Sequence, residues 1–347
     1  MSYLKLKLYR VLHWEYWPMQ FIYYPIFPVW LYFAMRARSF FFFSVSNPRI
    51  KNGGMAMESK KDIYDMMPLE HYPTTAYLKS NSSISTIKDC IDKSGFTYPL
   101  IAKPDIGLKA LGVEKIENLG QLNLYSQKIE QDFLIQELIT YPKEIGLFYV
   151  RKPNEKKGRI TGIVAKEFLT VTGDGTTPIV DLIKQNPRAH FQLASLKKKY
   201  GSYLGKVLEK DEEFILVPFG SHTRGAKFID DSHEINEQME TIIDTICLQL
   251  PDLHYGRLDI RLTSYEDLSL GKNFSIIEIN GAGSEPTHIY DPKHSIFFAW
   301  SEIIKHWNFL FQISVMNHKK GHRYLSYKNG IKMLKDNSLL EKRLKSI

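Results

Sequence analysis

The stretch FSIIEIN, Phe274 to Asn280, carries Glu278 and Asn280 inside an otherwise apolar, β-branched run. On a strand, positions i and i+2 share a face, so the carboxylate and the amide emerge side by side. A carboxylate leaving a hydrophobic strand needs a partner, because burying it unpaired is costly. Upstream, YGRLDIRL (Tyr255 to Leu262) puts Arg257, Asp259 and Arg261 on one face and Leu258, Ile260 and Leu262 on the other. The two segments lie at hairpin-like separation. If they pair, Asp259, Glu278 and Asn280 converge. Three oxygen ligands, two of them anionic, suit a hard cation such as Mg2+ that keeps water and phosphate as further ligands. The competing reading is an Arg257–Glu278 ion pair without a metal.

Further groups of this kind lie along the chain. Tyr98 to Ala102 reads as a short buried strand running into Lys103 and a loop with Gly107 and Gly112. Backbone N–H groups of such a loop, with the lysine charge, can cradle phosphate oxygens. Phe133 to Ile139 is a second apolar strand with Gln136 and Glu137 near its end, and Glu144 follows. Ile160 to Leu169 sets Lys166 in a hydrophobic strand, where it needs an anion, either a ligand or a protein carboxylate. A turn at Gly173–Gly175 leads towards a helix, and 238–250 is an amphipathic helix stopped by Pro251.

Taken in order, the KP-x-x-G loop at Lys103, QEL at Gln136 to Leu138, Lys166, the GDG turn, the D-x-R strand and the E-x-N strand resemble the ATP-grasp superfamily. The likeness is strongest to its D-alanine–D-alanine ligase-like carboxylate–amine ligases, and it runs from about Pro73 to Asn317. It implies an α+β fold in which two lobes clasp ATP. It implies that Lys103, Gly107 and Lys166 hold the phosphates, that Gln136, Glu137 and Leu138 line the adenine hinge, and that Glu144 holds the ribose. Asp259, Glu278 and Asn280 would bind two Mg2+ ions, with Mn2+ as a substitute. Arg224, in GSHTRGAKF, and Arg257 would act near the reacting carboxylate, with Lys166. His222, Gly283, Ser284 and His288 would meet substrate. The implied reaction forms an amide through an acyl phosphate, with carboxylate, amine and ATP as partners.

Two departures stand out. A complete α/β domain precedes the ATP-grasp region in standard members, whereas here only about 70 residues do so. The segment SEPTHIYDP, Ser284 to Pro292, also differs, with His288 and Tyr290 pointing to another substrate.

Those first residues have their own chemistry. Between Trp14 and Phe43, 14 of 30 residues are aromatic, and Pro18, Pro25 and Pro28 break any straight helix. The uncharged window 16–35 is flanked by Lys5, Lys7, Arg10, Arg36 and Arg38. Dense Trp and Tyr with flanking bases favour a headgroup boundary with anionic lipid over a simple spanning helix. A spanning helix and a soluble aromatic subdomain buried in a dimer stay open. Residues 1–61 hold nine basic residues against Glu15 and Glu58, so most of the net charge of +8 sits here. That placement argues against a general nucleic-acid face. Cys90 and Cys247 are too few for a disulfide framework.

The expected organisation is a membrane-docking segment over 1–66, an ATP-grasp domain over 67–320 and a basic, solvated tail over 321–347. The expected protein is a ligase at the cytoplasmic face of a membrane, acting on a lipidic or lipid-linked substrate, with an oligomer open. Its rivals are a soluble peptide ligase with a dimerising N-terminus and a nucleotide-binding module without catalysis. After Pro292 an aromatic helix reads as core packing or as a second membrane- or acyl-facing surface.

Overall fold

Alternation in YGRLDIRL and FSIIEIN is realised as an antiparallel pair that sets Asp259 directly opposite Glu278. The computed structural model describes residues 3–218 and 220–346. Among them the strands fall into three sheets. The first is four-stranded, in order β1-β4-β2-β3, from β1 (Thr75–Leu78), β2 (Leu100–Pro104), β3 (Glu114–Ile116) and β4 (Phe133–Glu137). The second is five-stranded, in order β11-β10-β5-β6-β9. It contains β5 (Lys143–Val150), β6 (Arg159–Glu167), β9 (Lys227–Asp230), β10 (Tyr255–Leu262) and β11 (Phe274–Asn280). Between β6 and β9 the chain inserts a small unit, the pair β7 (Leu169–Thr172) and β8 (Glu213–Val217) with helices Ile179–Gln185, Pro187–Phe191 and Leu193–Tyr200. The α+β class expected from the sequence is therefore present, with two larger lobes and a small third unit.

Burial follows the patterning. The apolar faces of β5, β10 and β11 (Leu147, Leu258, Ile260, Ile276) close on Met239, Ile243 and Ile246 of the helix Glu237–Gln249. In the first lobe, Leu100, Ala102, Phe133 and Ile135 pack on Ile87 and Leu122 of its two helices. The opposite faces turn Lys103, Gln136 and Asp259 to the cleft, and Phe148, Val150 and Val164 to the N-terminal segment and the helix Ile296–Lys319.

The N-terminal segment is built into this frame. Its prolines do break it, into short helices Met19–Tyr23 and Phe27–Ala37 with one-turn pieces around them. Its aromatic residues cover the long helix Ile296–Lys319: Trp30 meets Trp307 edge-on at 5.2 Å, and Phe33 stacks on Phe311 at 5.0 Å. Trp300 donates its indole N–H to the Ile22 carbonyl at 2.8 Å. That aromatic helix is thus core packing along its buried side, through Ala299, Ile303, Leu310 and Ile313. Among the described residues no helix is long and apolar enough to cross a membrane. An outer face stays uncovered, including Leu8, Leu12, Phe21, Tyr24 and Met35.

Two segments depart from what their composition suggests. Ser46 to Lys60, a connector with the polar, turn-rich composition of an exposed loop, is largely enclosed. Asn47 is fully buried; its amide N–H groups donate to the Gly53 and Tyr255 carbonyls and its oxygen accepts from the His254 and Tyr255 N–H groups. Gly54 approaches Gly281 so closely that a Cβ on it would lie 2.7 Å from the Gly281 Cα, and its φ of +77 favours glycine independently. The expected solvated tail is instead a helix, Tyr327–Ser346. Met333, Leu340 and Leu344 recur at helical spacing and are buried, the last two in the core of the first lobe.

Candidate active site

The lobes and the N-terminal segment enclose one cavity of about 1160 Å³. At one end the strands deliver the residues singled out above. Lys103, at the end of β2, donates to Tyr64 Oη and Gln136 Oε1, each at 2.8 Å, and to the Ile277 carbonyl at 3.1 Å. That carbonyl is available because the β10–β11 register shifts after Asp259, leaving Ile277 without a partner across the ladder. Burial pushes the Lys103 ammonium down to about 7, since its contacts are neutral oxygens.

Lys166 on β6 lies between two acids, 3.2 Å from Glu144 Oε1 and 3.0 Å from Asp259 Oδ1. Glu144 also pairs with Arg261 at 3.2 Å. Gly220 crosses this pair so tightly that a Cβ there would lie 2.3 Å from Glu144 Oε1. Glu144, expected at the ribose, is therefore engaged by two cations beneath a loop. Asp259 accepts from Arg257 through Nε at 2.9 Å and a terminal nitrogen at 3.2 Å. Burial alone would raise the Asp259 carboxyl, but Arg257 and Lys166 hold it below the usual value. Asn280 donates to Asp259 Oδ2 at 3.4 Å.

Glu278 finds a partner that the sequence did not suggest. It pairs neither with Arg257 nor with another strand residue, but with Lys60 at 3.4 Å, from the helix Lys60–Tyr64 after the connector. Burial raises this carboxyl, but Lys60 together with Lys103 and Arg257 more than offsets it, so it too lies below the ordinary range. Its side chain remains one-third exposed (33%) towards the cavity. Glu58 lines the same wall; burial raises its carboxyl, and its Oε2 has no hydrogen-bond partner. Glu58, Lys60 and Tyr64 were missed because their segment reads as a linker. Serine-capped KKDIY before the globular region was the available signal.

The arrangement fits a divalent cation through mixed ligands. Among the described residues no group of three or more His, Cys, Asp or Glu side chains is set to hold a metal. The expected set needs the Asn280 amide as its third member, beside two carboxylates paired across the ladder.

The other expected residues are placed as follows. Gly107, Glu137 and Leu138 line the cavity with Gln136. His222, Gly283 and Ser284 line it as well, His222 bound 3.2 Å from Glu15 of the N-terminal segment. The Ala282 and Gly283 N–H groups donate to the Gly53 and Gly54 carbonyls, so this loop grips the connector. Arg224, expected at the reacting carboxylate, is exposed and does not line the cavity. Burial of part of its side chain lowers its guanidinium. His288, expected at the substrate, lies behind the wall, buried and 3.6 Å from Glu302, where it fills the space above Gly162.

The chain is similar to a bifunctional glutathione synthetase from Pasteurella multocida, with 14% identity and a TM-score of 0.38, over 74% of this chain and 38% of that one. It is similar to VanG D-Ala:D-Ser ligase from Enterococcus faecalis, with 14% identity and a TM-score of 0.43, over 75% of this chain and 62% of that one. It is also similar to D-alanine–D-alanine ligase from Bacillus anthracis complexed with ATP, with 13% identity and a TM-score of 0.43, over 78% and 69%. The chain spans less than two thirds of the first two of these proteins. No family model and no curated protein matches the sequence.

Proposed function

We propose that this protein is an ATP-dependent carboxylate–amine ligase that works at a membrane surface. One observation carries the reading. Asp259, Glu278 and Asn280 converge from a strand pair at one end of a large cavity, with Lys103 and Lys166 on facing strands. Buried lysines beside clustered oxygen ligands suit a polyphosphate with its divalent cation better than they suit a static ion-pair network.

In this reading a substrate carboxylate oxygen attacks the γ-phosphorus of ATP, and ADP leaves. The neutral amine nitrogen then attacks the acyl carbon, the C–O bond to phosphate breaks, inorganic phosphate leaves, and the nitrogen gives up one proton to the departing phosphate or to solvent. Mg2+ held by Asp259, Glu278 and Asn280 supplies charge neutralisation for the phosphates when bound. Lys103 and Lys166 orient the phosphate oxygens by charge-assisted hydrogen bonds. Lys166 then exchanges a carboxylate oxygen for a phosphate oxygen. Arg257 keeps Asp259 ionised and aimed at the cavity.

The membrane address rests on the uncovered apolar face of the N-terminal segment, bordered by Arg36 and Arg38. Aromatic and aliphatic side chains beside basic ones match an anionic headgroup layer. ATP use supports a cytoplasmic side for that face, and a membrane address favours a lipidic or lipid-linked substrate.

The test is ATP consumption by the full chain purified in detergent, with Mg2+, pooled lipid extract and amino acids, products read by mass spectrometry. The expected result is ADP with a new species whose mass equals two substrates less one water. Absence of any ATP binding overturns the reading.

A further inference from the structure

Past Arg257 the cavity has the opposite chemistry. Glu285 follows the glycine loop and lines the cavity with Trp30 and Tyr255. Its carboxylate accepts from Tyr23 Oη through one oxygen, and from Tyr290 Oη at 3.2 Å through the other. Burial and the Glu285 charge raise both phenols well above their ordinary value, so both remain donors. Among the described residues these phenols are its hydrogen-bond partners, and it makes no ion pair. Arg257 acts on it only at longer range, its guanidinium being held by both oxygens of Asp259.

Aromatic rings surround this charge. Trp307 lines the cavity 6.0 Å from Tyr23 and 5.2 Å from Trp30. Next to Tyr255 stands His306, 1% exposed and lining the cavity, with no hydrogen-bond partner on either ring nitrogen. Burial pushes its imidazole down to about 3, so it is neutral, one nitrogen a donor and the other an acceptor. A half-buried carboxylate that makes no ion pair among the described residues disfavours an anionic guest. A purely apolar guest would leave both Glu285 and His306 unmatched. A cation meets the carboxylate and the ring faces together.

We propose that this chamber binds a substrate through a primary alkylammonium group, anchored on Glu285 and walled by Trp30 and Trp307, with His306 meeting a polar group farther along the same molecule. The assignment rests on the ligase reading for the word substrate, but Glu285, Trp30, Trp307 and His306 are none of the residues assigned to the nucleotide and its metal. It gives the N-terminal segment a second task, because Tyr23 and Trp30 belong to it.

Trp30 and Trp307 make tryptophan fluorescence a direct reporter. The full chain in detergent is titrated with butylammonium chloride against equal sodium chloride, and separately with 1-butanol. A saturable change with butylammonium is expected, at least tenfold weaker in Glu285→Gln, partly recovered in Glu285→Asp, and several-fold weaker in Trp30→Leu. An identical curve for Glu285→Gln, or an equal response to butanol, overturns the chamber. If Glu285→Gln does not fold, Trp30→Leu decides: an unchanged affinity overturns it. The melting shift caused by Mg-ATP, measured on the same samples, separates the two ideas. A nucleotide shift without an ammonium response ends this inference alone. An ammonium response without a nucleotide shift ends the ligase reading and keeps the chamber.

Discussion

The two ends of the cavity use carboxylates in opposite ways. At the strand end, Asp259 is held by Arg257 and Lys166, and Glu278 by Lys60. At the aromatic end, Glu285 is held by neutral phenols. A carboxylate already neutralised by a movable lysine can exchange that lysine for a metal while the lysine turns to a phosphate. A carboxylate solvated only by hydroxyls keeps its negative field for a guest cation. The same residue type thus prepares one end for an anion with its metal and the other for a cation, and the difference lies in the partner.

Disturbing the strand end should have the largest effect. Asp259→Asn removes a ligand and leaves Lys166 and Arg257 with one fewer anion; ATP turnover is expected to fall about a hundredfold or more. Full turnover in this variant would erase the contrast. Next comes the joint between connector and loop. Gly54→Ala sets a Cβ against Gly281 in a left-handed conformation, and chemical denaturation should show a loss of about 2 kcal/mol or more. Both ends should loosen together in that variant, because the connector carries Lys60 and grips the loop before Glu285.

A pH series sharpens the comparison. Lys103 titrates near 7 in the folded chain and near its ordinary, higher value when unfolded. Between these values the unfolded chain binds more protons, so this residue makes stability rise with pH above about 7. Affinity for ATP should move the other way, weakening over the same range as the ammonium is lost. Lys103→Met should flatten both trends, read by melting curves and equilibrium binding. Butylammonium affinity at the far end should not follow Lys103. The smallest effect belongs to the outer face: Arg38→Glu should weaken flotation with anionic vesicles by about fivefold or more, from about 1 kcal/mol per basic residue. Unchanged flotation after combined substitution of Lys5, Lys7, Arg36 and Arg38 would remove the membrane address.

Much of the strand end was legible beforehand. The alternation in β10 and β11 displayed Asp259, Glu278 and Asn280 on one face, and the register then set the first two opposite each other. Lys103 and Lys166 were legible because a charge in an apolar run is conspicuous. The partner of Glu278 was not, since Arg257 was nearer in sequence and Lys60 lay in a stretch of linker composition. His288 was misplaced for a similar reason: its segment is polar and irregular, and only the fold turns that ring towards Glu302 and away from the cavity.

The sequence by itself determined the strands, their faces and the broken aromatic segment. These depend on side-chain period, proline and local backbone preference, all short-range. Tertiary structure alone decided which cation neutralises which acid, that the N-terminal aromatics wall the cavity, and that Glu285 makes no ion pair among the described residues. Ion pairing and enclosure depend on how distant segments meet in space, and neither a charge nor an aromatic ring records its partner in the local sequence.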